Sequence, residues 1–420
     1  MLNVTIDGAA YTLDNAGNRT AKTDQRTAVA TSYGYDSIYQ LLSATQGATT
    51  TESYAYDAVG NRTSSLGVAS YTTNSSNELT ANSNASFTYD NNGNELTKVD
   101  STGTTTYAWD FENRMTSVTL PGSGGTVSFK YDPFGRRIYK SSSAGTSIYA
   151  YDRSNIIEET DSSGAAVARY VQSGLIDEPL AMLRSSSTSY YEADGLGSVT
   201  SLSNAAGTLA QTYTFDSFGK QTASSGSLVN SFQYTARESD SETGLYFYRA
   251  RYYDPQSGRF LREDPLRFGS GDPNFYSYVS QNPTNYTDPL GKTRIYGNWC
   301  GPNWTGGLVE SFDPRHVKDY KKPIDKIDEV CQRHDICYFN CRKGQPCDPD
   351  ARLNCFKNCD QVFVQEMPDK EKFWPTVLDS GINLHRIFGS NPEDNAPGCC
   401  KPKAPPQPKP CGGFSCLDNR

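Results

Sequence analysis

The first 291 residues of this 420-residue chain contain no cysteine and no histidine. Disulfide bonds therefore cannot hold that part together, and its composition says nothing about a redox compartment. The whole chain also lacks any run of 18 apolar residues, and its start has neither a basic region nor an apolar stretch. These absences predict no membrane-spanning helix and no ordinary signal peptide.

What the first part lacks is concentrated after Gly291. All eleven cysteines and all three histidines lie there, whereas 25 of the 28 tyrosines lie before it. The first part carries 20 Lys and Arg against 30 Asp and Glu, and the second carries 19 against 17. We interpret the chain as two different parts joined near Gly291, of which the second matures in an oxidising place. The net charge of −8 argues against nucleic acid as a partner.

A short pattern recurs through the first part: aromatic, any residue, aromatic, aspartate, then a turn. Alternating rings place one aromatic face on a strand, and aspartate followed by glycine closes a turn. Each hairpin needs neighbours to bury its rings, so the repeats are expected to stack. The spacing is about twenty residues, and the repeat aspartates are Asp14, Asp36, Asp57, Asp90, Asp110, Asp132, Asp152 and Asp216.

This array resembles the YD-repeat, or Rhs, family. The resemblance implies an all-β, solenoid-like spiral that forms a hollow shell around a toxic C-terminal domain. An extracellular structural or adhesive YD-repeat protein, with a non-catalytic cysteine-rich tail, is the alternative. The expected organisation is a repeat array over 1–243, a core-closing segment over 244–291, a toxin domain over 292–398 and a Pro/Cys-rich tail over 399–420.

The segment 244–291 resembles the Rhs core-closing segment, in which two DPxG aspartates form an aspartyl-protease pair that cuts beyond the second motif. The matching residues are Asp264 and Asp288. Two close carboxylates can share one proton, so that one acts as an acid and the other as a base. Arg267 stands where the first motif has glycine, and a cation there opposes proton sharing unless the strand directs its guanidinium elsewhere. The other interpretation is that both Asp-Pro pairs only end strands.

The second part contains PIDKIDEVCQRHDICY, from Pro323 to Tyr338, whose three- and four-residue spacing predicts a helix with a cysteine and histidine stripe. One zinc ion cannot bind all of these residues, because Cys331 and Cys341 are about 15 Å apart along a helix and zinc bonds are only about 2 Å long. We expect disulfide bonds instead, with His334 and Asp335 between them. A His-Asp pair on a braced helix after a glycine-rich loop suits hydrolysis assisted by Ca²⁺, whereas a packed histidine is the alternative.

The same stretch resembles secreted phospholipase A2, a small and mainly helical disulfide-rich fold. The resemblance implies His334 as the base, Asp360 as its partner and Tyr338 bonded to that carboxylate. It implies Ca²⁺ held by Asp335 and by the carbonyls of Trp299, Gly301 and Asn303, with Gly306 or Gly307 as another choice for the last. It also implies two disulfide pairs, Cys300 with Cys331 and Cys337 with Cys359.

These resemblances together predict an Rhs-type toxin whose released domain hydrolyses the sn-2 ester of membrane phospholipids with calcium. Another ester remains open as the substrate. The expected partners are a phospholipid membrane, an immunity protein and a delivery machinery, without nucleic acid. The expected location is secreted, or delivered to the surface of a target cell.

Overall fold

The computed structural model describes residues 7–295, 304–305, 308–309, 322–323, 326–344, 355 and 358–359. Twenty-two strands up to Gly226 form what we call the wall. Their bounds are β1 Ala9–Leu13, β2 Arg19–Asp24, β3 Ala30–Tyr35, β4 Leu41–Gln46, β5 Thr49–Tyr56, β6 Arg62–Ser65, β7 Tyr71–Thr73, β8 Leu79–Asn82, β9 Ala85–Tyr89, β10 Glu95–Asp100, β11 Gly103–Trp109, β12 Met115–Thr119, β13 Thr126–Tyr131, β14 Arg137–Ser142, β15 Gly145–Asp152, β16 Asn155–Thr160, β17 Ala166–Gln172, β18 Pro179–Arg184, β19 Ser187–Ala193, β20 Val199–Asn204, β21 Leu209–Phe215 and β22 Gln221–Gly226.

The wall follows the chain without a crossover. Strands β1–β6 form one sheet and β7–β22 another, and in each sheet every strand lies beside the next in sequence. All their described pairings are antiparallel, and a bridge between Ser65 and Val68 follows β6. Sequential hairpins of this kind are what a short tandem repeat produces.

The repeat aspartates set the turns of the wall. In Asp90, as an example, the Oδ1 atom accepts the backbone N–H groups of Asn92 (2.8 Å) and Asn94 (2.9 Å). Gly93 then has a φ of +76°, the left-handed conformation that glycine adopts without a steric penalty. The carboxylate therefore accepts hydrogen bonds from backbone N–H groups in the turn, where no neighbouring strand accepts them. Asp152 differs from the predicted pattern, because it ends β15 and pairs across a tight turn with Asn155.

The second aromatic residue of the repeat ties one hairpin to the previous one. The Tyr56 hydroxyl donates to the Leu41 carbonyl (2.9 Å), and the Tyr131 hydroxyl donates to the Met115 carbonyl (2.7 Å). Trp109 does the same through its indole N–H, to the Glu95 carbonyl (2.7 Å). Aromatic rings with a polar end suit a half-buried surface of this kind.

Residues 227–295, which we call the inner segment, pack against the aromatic face of the wall. They contain a four-stranded sheet and three short 3₁₀ turns: β23 Glu238–Asp240, β24 Leu245–Tyr248, β25 Arg251–Asp254, β26 Arg259–Phe260, and the turns Tyr234–Ala236, Arg267–Ser270 and Val279–Gln281. Every residue of β24 is buried. Rings of both parts share the buried clusters, as with Tyr107 and Phe129 of the wall beside Phe247 and Tyr252.

Buried polar groups fix how the inner segment sits in the wall. Arg137 of β14 binds Glu238 (2.8 Å) and Asp240 (2.5 Å), and all three side chains are nearly inaccessible. Two distant parts of the wall also contact each other, since Lys22 of β2 binds Asp194, which follows β19 (2.8 Å). The predicted all-β repeat shell is therefore confirmed over the described part of residues 1–291.

The described part of the tail is a helix, α1 Lys326–Gly344, with a two-strand ribbon before it, β27 Trp304–Thr305 and β28 Leu308–Val309. Disulfide bonds join Cys337 to Cys359 and Cys341 to Cys355. A helical, disulfide-containing tail was expected, and it is present. Val330 and Cys331 of α1 belong to the same buried cluster as rings of the inner segment. No α-helix in the described part of the chain is long and apolar enough to cross a membrane.

Candidate active site

The inner segment brings Asp264 and Asp288 to one arginine. Atom Nη2 of Arg251 lies 2.8 Å from Asp264 Oδ2 and 3.2 Å from Asp288 Oδ2. The two carboxyls are only 3% and 2% exposed. Arg251 is the first residue of β25 and its guanidinium also lies over the Phe260 ring, 3.5 Å from the centroid. A planar fork held over a ring is well suited to binding two carboxylates at once.

Local turns aim the two carboxyls. Asp264 follows β26, and its backbone N–H donates to the Phe275 carbonyl (2.9 Å) while its Oδ1 accepts the Leu266 N–H (2.8 Å). Asp288 Oδ1 accepts the backbone N–H groups of Lys292 (2.9 Å) and Thr293 (3.0 Å). Asp288 therefore lies directly beside the nitrogen of the Gly291–Lys292 peptide bond.

The surroundings raise the proton affinity of both carboxyls. Burial, opposed by Arg251 and reinforced by the neighbouring Asp288, raises the pKa of Asp264 to about 7. Burial also raises the pKa of Asp288, but Arg251 and the two backbone N–H groups favour its ionised form. Both carboxyls therefore bind a proton more readily than an exposed aspartate does.

Three consecutive carbonyls before the same peptide bond are held by three consecutive residues of the inner segment. Arg249 Nη1 donates to the Pro289 carbonyl, the Ala250 N–H to the Leu290 carbonyl (3.2 Å), and Arg251 Nε to the Gly291 carbonyl (2.7 Å). We call these contacts the carbonyl clamp.

Glycine is required at position 291 by its surroundings. Its φ is +64°, and a Cβ atom there would lie 2.2 Å from the Tyr248 carbonyl oxygen. The clamp and this close approach fix the peptide bond against the carboxyl pair. A cavity of about 420 Å³, lined in part by Pro265, Leu290 and Lys292, lies beside it and gives room for water.

Arg267, the departure from the DPxG pattern, stays away from the pair. Its side chain is 69% exposed and binds Glu263 at 3.2 Å. The cation at the pair is Arg251, which sequence reasoning missed because it belongs to neither motif. Of the two orientations that the sequence left open for Arg267, the structure shows the one in which the guanidinium points to the surface.

Only part of the second predicted site lies within the described residues. Trp299, Cys300, Gly301, Asn303 and Asp360 lie outside them, so the calcium ligands, the partner of the histidine and the Cys300–Cys331 pair remain predictions.

The described members of that site share helix α1. His334 is buried, and its ring centroid lies 4.4 Å from that of Tyr338. Asp335 follows it and is half-buried. Cys337 bonds to Cys359, the pairing that the resemblance implies, and Cys331 is also disulfide-bonded. The close sulfurs of Cys337, Cys341 and Cys359 are disulfide sulfurs, so they are not a metal site.

A wall of sequential antiparallel hairpins packed against an inner segment is the architecture of a repeat shell. The sequence profile of the Teneurin YD-shell family matches residues 15–283, and the chain belongs to that family. The tRNA3(Ser)-specific nuclease WapA of Bacillus spizizenii is 33% identical over 273 residues, which are 61% of this chain and 12% of that protein. A probable deoxyribonuclease RhsB of Dickeya dadantii is 42% identical over 72 residues, 17% of this chain and 5% of that protein.

The chain thus spans a small part of these relatives. Among solved structures, the crystal structure of TcdB2-TccC3-Cdc42 aligns with a TM-score of 0.55 at 21% identity, and the alignment covers 68% of this chain and 17% of that one. That likeness shows the same fold. Together these findings identify an Rhs/YD-shell protein of a toxin-like kind.

The comparisons contradict two predictions. The calcium-dependent phospholipase A2 activity is wrong, since the relatives are named as a tRNA nuclease and a deoxyribonuclease. The exclusion of nucleic acid in favour of a phospholipid substrate is wrong for the same reason. The physical basis of the second error is that the acidic wall dominates the net charge, whereas residues 292–420 are slightly basic. The basis of the first is that the motif of α1 specifies a disulfide-braced helix rather than one reaction.

Proposed function

We propose that this chain is the self-cutting part of a toxin shell, which hydrolyses its own Gly291–Lys292 bond and so frees residues 292–420 from the wall. The observation that carries the proposal is the position of that bond. Its carbonyl oxygen accepts from Arg251, and its nitrogen donates to Asp288, one of the two carboxyls that share Arg251.

The hydrogen bonds assign the roles, because Asp288 accepts two backbone N–H groups, one of them from the scissile peptide nitrogen. Asp288, as the carboxylate, takes a proton from a water molecule while the water oxygen attacks the Gly291 carbonyl carbon. The protonated Asp264 and the Arg251 guanidinium stabilise the negative charge that develops on the carbonyl oxygen. The C–N bond then breaks, and Asp288 Oδ1 passes its proton to the Lys292 nitrogen, which already lies at 2.9 Å. The products are a carboxylate at Gly291 and an amine at Lys292.

The relatives that are named as nucleases support the purpose of such a cut. A shell that holds an effector by a covalent bond must break that bond for the effector to leave it. We therefore propose delivery to a target cell as the setting in which residues 292–420 act.

The test is to produce the full chain and to compare it with Asp264→Asn and Asp288→Asn. The wild type should give fragments of 291 and 129 residues, and the smaller one should begin with Lys292. Both variants should remain at 420 residues, since neither retains an acid and a base.

Asp272→Asn is the matched control. Asp272 precedes a proline in the same inner segment, but its carboxylate accepts from Ser277 and Ser280 (2.8 Å each), away from the pair. This variant should cut like the wild type. Cutting that persists in both site variants, or a fragment that begins elsewhere, would refute the proposal.

A further inference from the structure

We infer that Asp177, a residue of the wall, positions the Gly291–Lys292 bond for cutting by holding Arg249, so that self-cleavage waits for the wall to close around the inner segment. This inference rests on the proposed function. It adds a positioning residue that belongs to neither DPxG motif and lies 111 positions before the second aspartate.

The contacts form one continuous connection from the wall to the scissile loop. Asp177 lies in the turn between β17 and β18, and its Oδ1 accepts from Arg237 Nη1 (2.5 Å) and Arg249 Nη2 (2.7 Å). Its Oδ2 accepts from Arg249 Nη1 (3.1 Å). The same Nη1 donates to the Pro289 carbonyl, which is the first carbonyl of the clamp.

Charge explains why Arg249 depends on Asp177. Arg237 is buried, Arg249 is partly buried with 18% of its side chain exposed, and the two cations repel each other. Desolvation together with Arg237 lowers the pKa of Arg249. Asp177 opposes both effects on Arg249, and Glu238 adds a smaller opposing effect. Removing the charge of Asp177 leaves the two guanidinium groups with less compensation and weakens the hold of Arg249 on the Pro289 carbonyl.

The clamp explains why such a movement reaches the bond that is cut. Pro289, Leu290 and Gly291 are each held once, by Arg249, Ala250 and Arg251 in order. Loss of the first contact loosens the other two, because they share one short stretch of backbone. A displacement of about 1 Å can slow a reaction by about a hundredfold, so even partial loosening is measurable.

Asp177→Asn is the variant that tests this connection. Asp177 has a φ of +56°, a conformation that asparagine tolerates, so the turn should be kept. The full chain is synthesised in a cell-free system, and the rate constant for appearance of the 129-residue fragment is measured. Asp177→Asn should be slower by about tenfold. Arg249→Lys, which keeps the charge but cannot bridge Asp177 and Pro289 as a fork does, should be slower as well.

Asp132→Asn is the matched control on the wall. The Asp132 side chain is 12% exposed, close to the 11% of Asp177, and it is ion-paired to Arg136 at 2.7 Å, but it contacts no residue of the clamp among its described bonds. Asn204 makes the same turn contacts elsewhere in the wall, to the N–H groups of Ala206 and Thr208, so the turn should survive. This control should cut at the wild-type rate.

The double variant separates positioning from general loss of stability. If Asp177 acts through Arg249, the chain that carries both Asp177→Asn and Arg249→Lys should cut no slower than the slower of the two single variants. If the rate reductions of the two single variants multiply in the double variant, the inference is overturned. A wild-type rate in either single variant would also overturn it, even if the other variant does not fold. A wild-type chain that never cuts would instead refute the proposed function.

Discussion

Arg251 is the residue on which the chemistry of the carboxyl pair depends. It is the first residue of β25 and holds Asp264, Asp288 and the Gly291 carbonyl with one guanidinium. It stabilises negative charge, yet the pKa of Asp264 stays near 7 because burial has the larger effect. The pair can therefore hold a proton at neutral pH although a cation lies between its members.

The rate of self-cleavage should fall as the pH rises through 7. Asp264 has a raised pKa of about 7, so it bears its proton below that pH and loses it above. Between pH 6 and pH 8 the protonated fraction falls by about tenfold, and the rate constant should follow it. The measurement is a time course of fragment formation at both pH values, with thermal unfolding recorded as a control. A rate that rises with pH would contradict the assignment of Asp264 as the acid.

The hairpin is the element that the repeat encodes. Its aspartate closes the turn through backbone N–H groups, and its second aromatic side chain bonds to the carbonyl of the previous hairpin. Each contact is local or spans one repeat, so a sequence period suffices to specify the wall. Asn74 closes one such turn in place of aspartate, accepting the N–H groups of Ser76 and Glu78, which shows that the turn needs the side-chain oxygen rather than the charge.

Replacing Asp90 tests this account of the turn. Asp90→Ala removes the acceptor for Asn92 and Asn94 and should lower the free energy of unfolding by about 1 to 2 kcal/mol. Asp90→Asn keeps the oxygen and should lower it by less than half as much. Urea unfolding of both variants gives the comparison. Equal losses would indicate that the charge, and not the bonded oxygen, matters.

The whole molecule is held by contacts between the wall and the inner segment. Arg137 reaches from β14 to Glu238 and Asp240, and its guanidinium lies 4.7 Å from the centroid of the Phe247 ring. Such contacts bring together residues about a hundred positions apart. The proposed cut also depends on a contact between the wall and the inner segment, since Asp177 of the wall holds Arg249 of the inner segment.

Arg136 and Arg137 are neighbours in sequence, so replacing each of them compares a partly exposed ion pair with a buried one. Arg137→Ala removes the nearest cation from two buried carboxylates, which keep only the longer contacts of Arg237 (3.4 Å) and Lys140 (3.3 Å), and it should cost about 3 kcal/mol of unfolding free energy. Arg136→Ala breaks a half-exposed pair with Asp132 and should cost less than about 1 kcal/mol. Thermal or urea unfolding of the two variants measures the difference. Similar costs would mean that burial of Arg137 contributes little to holding the inner segment.

By itself, the sequence determined the two-part organisation, the hairpin repeat and the aspartate at its turn. These features depend on neighbours in the chain, so composition and spacing reveal them. The pair Asp264 and Asp288 came from a resemblance of motifs. The same approach failed for the reaction of the tail, because a short helical motif fixes local structure and not a substrate.

Only the tertiary structure decided which cation meets the carboxyl pair, which peptide bond lies beside it and which wall residue reaches the loop. Arg251, Asp177 and Arg249 carry no motif, and their partners lie 13 to 72 positions away along the chain. Buried charge needs a partner in space rather than in sequence. The wall supplies that partner only after its hairpins have wrapped around the inner segment.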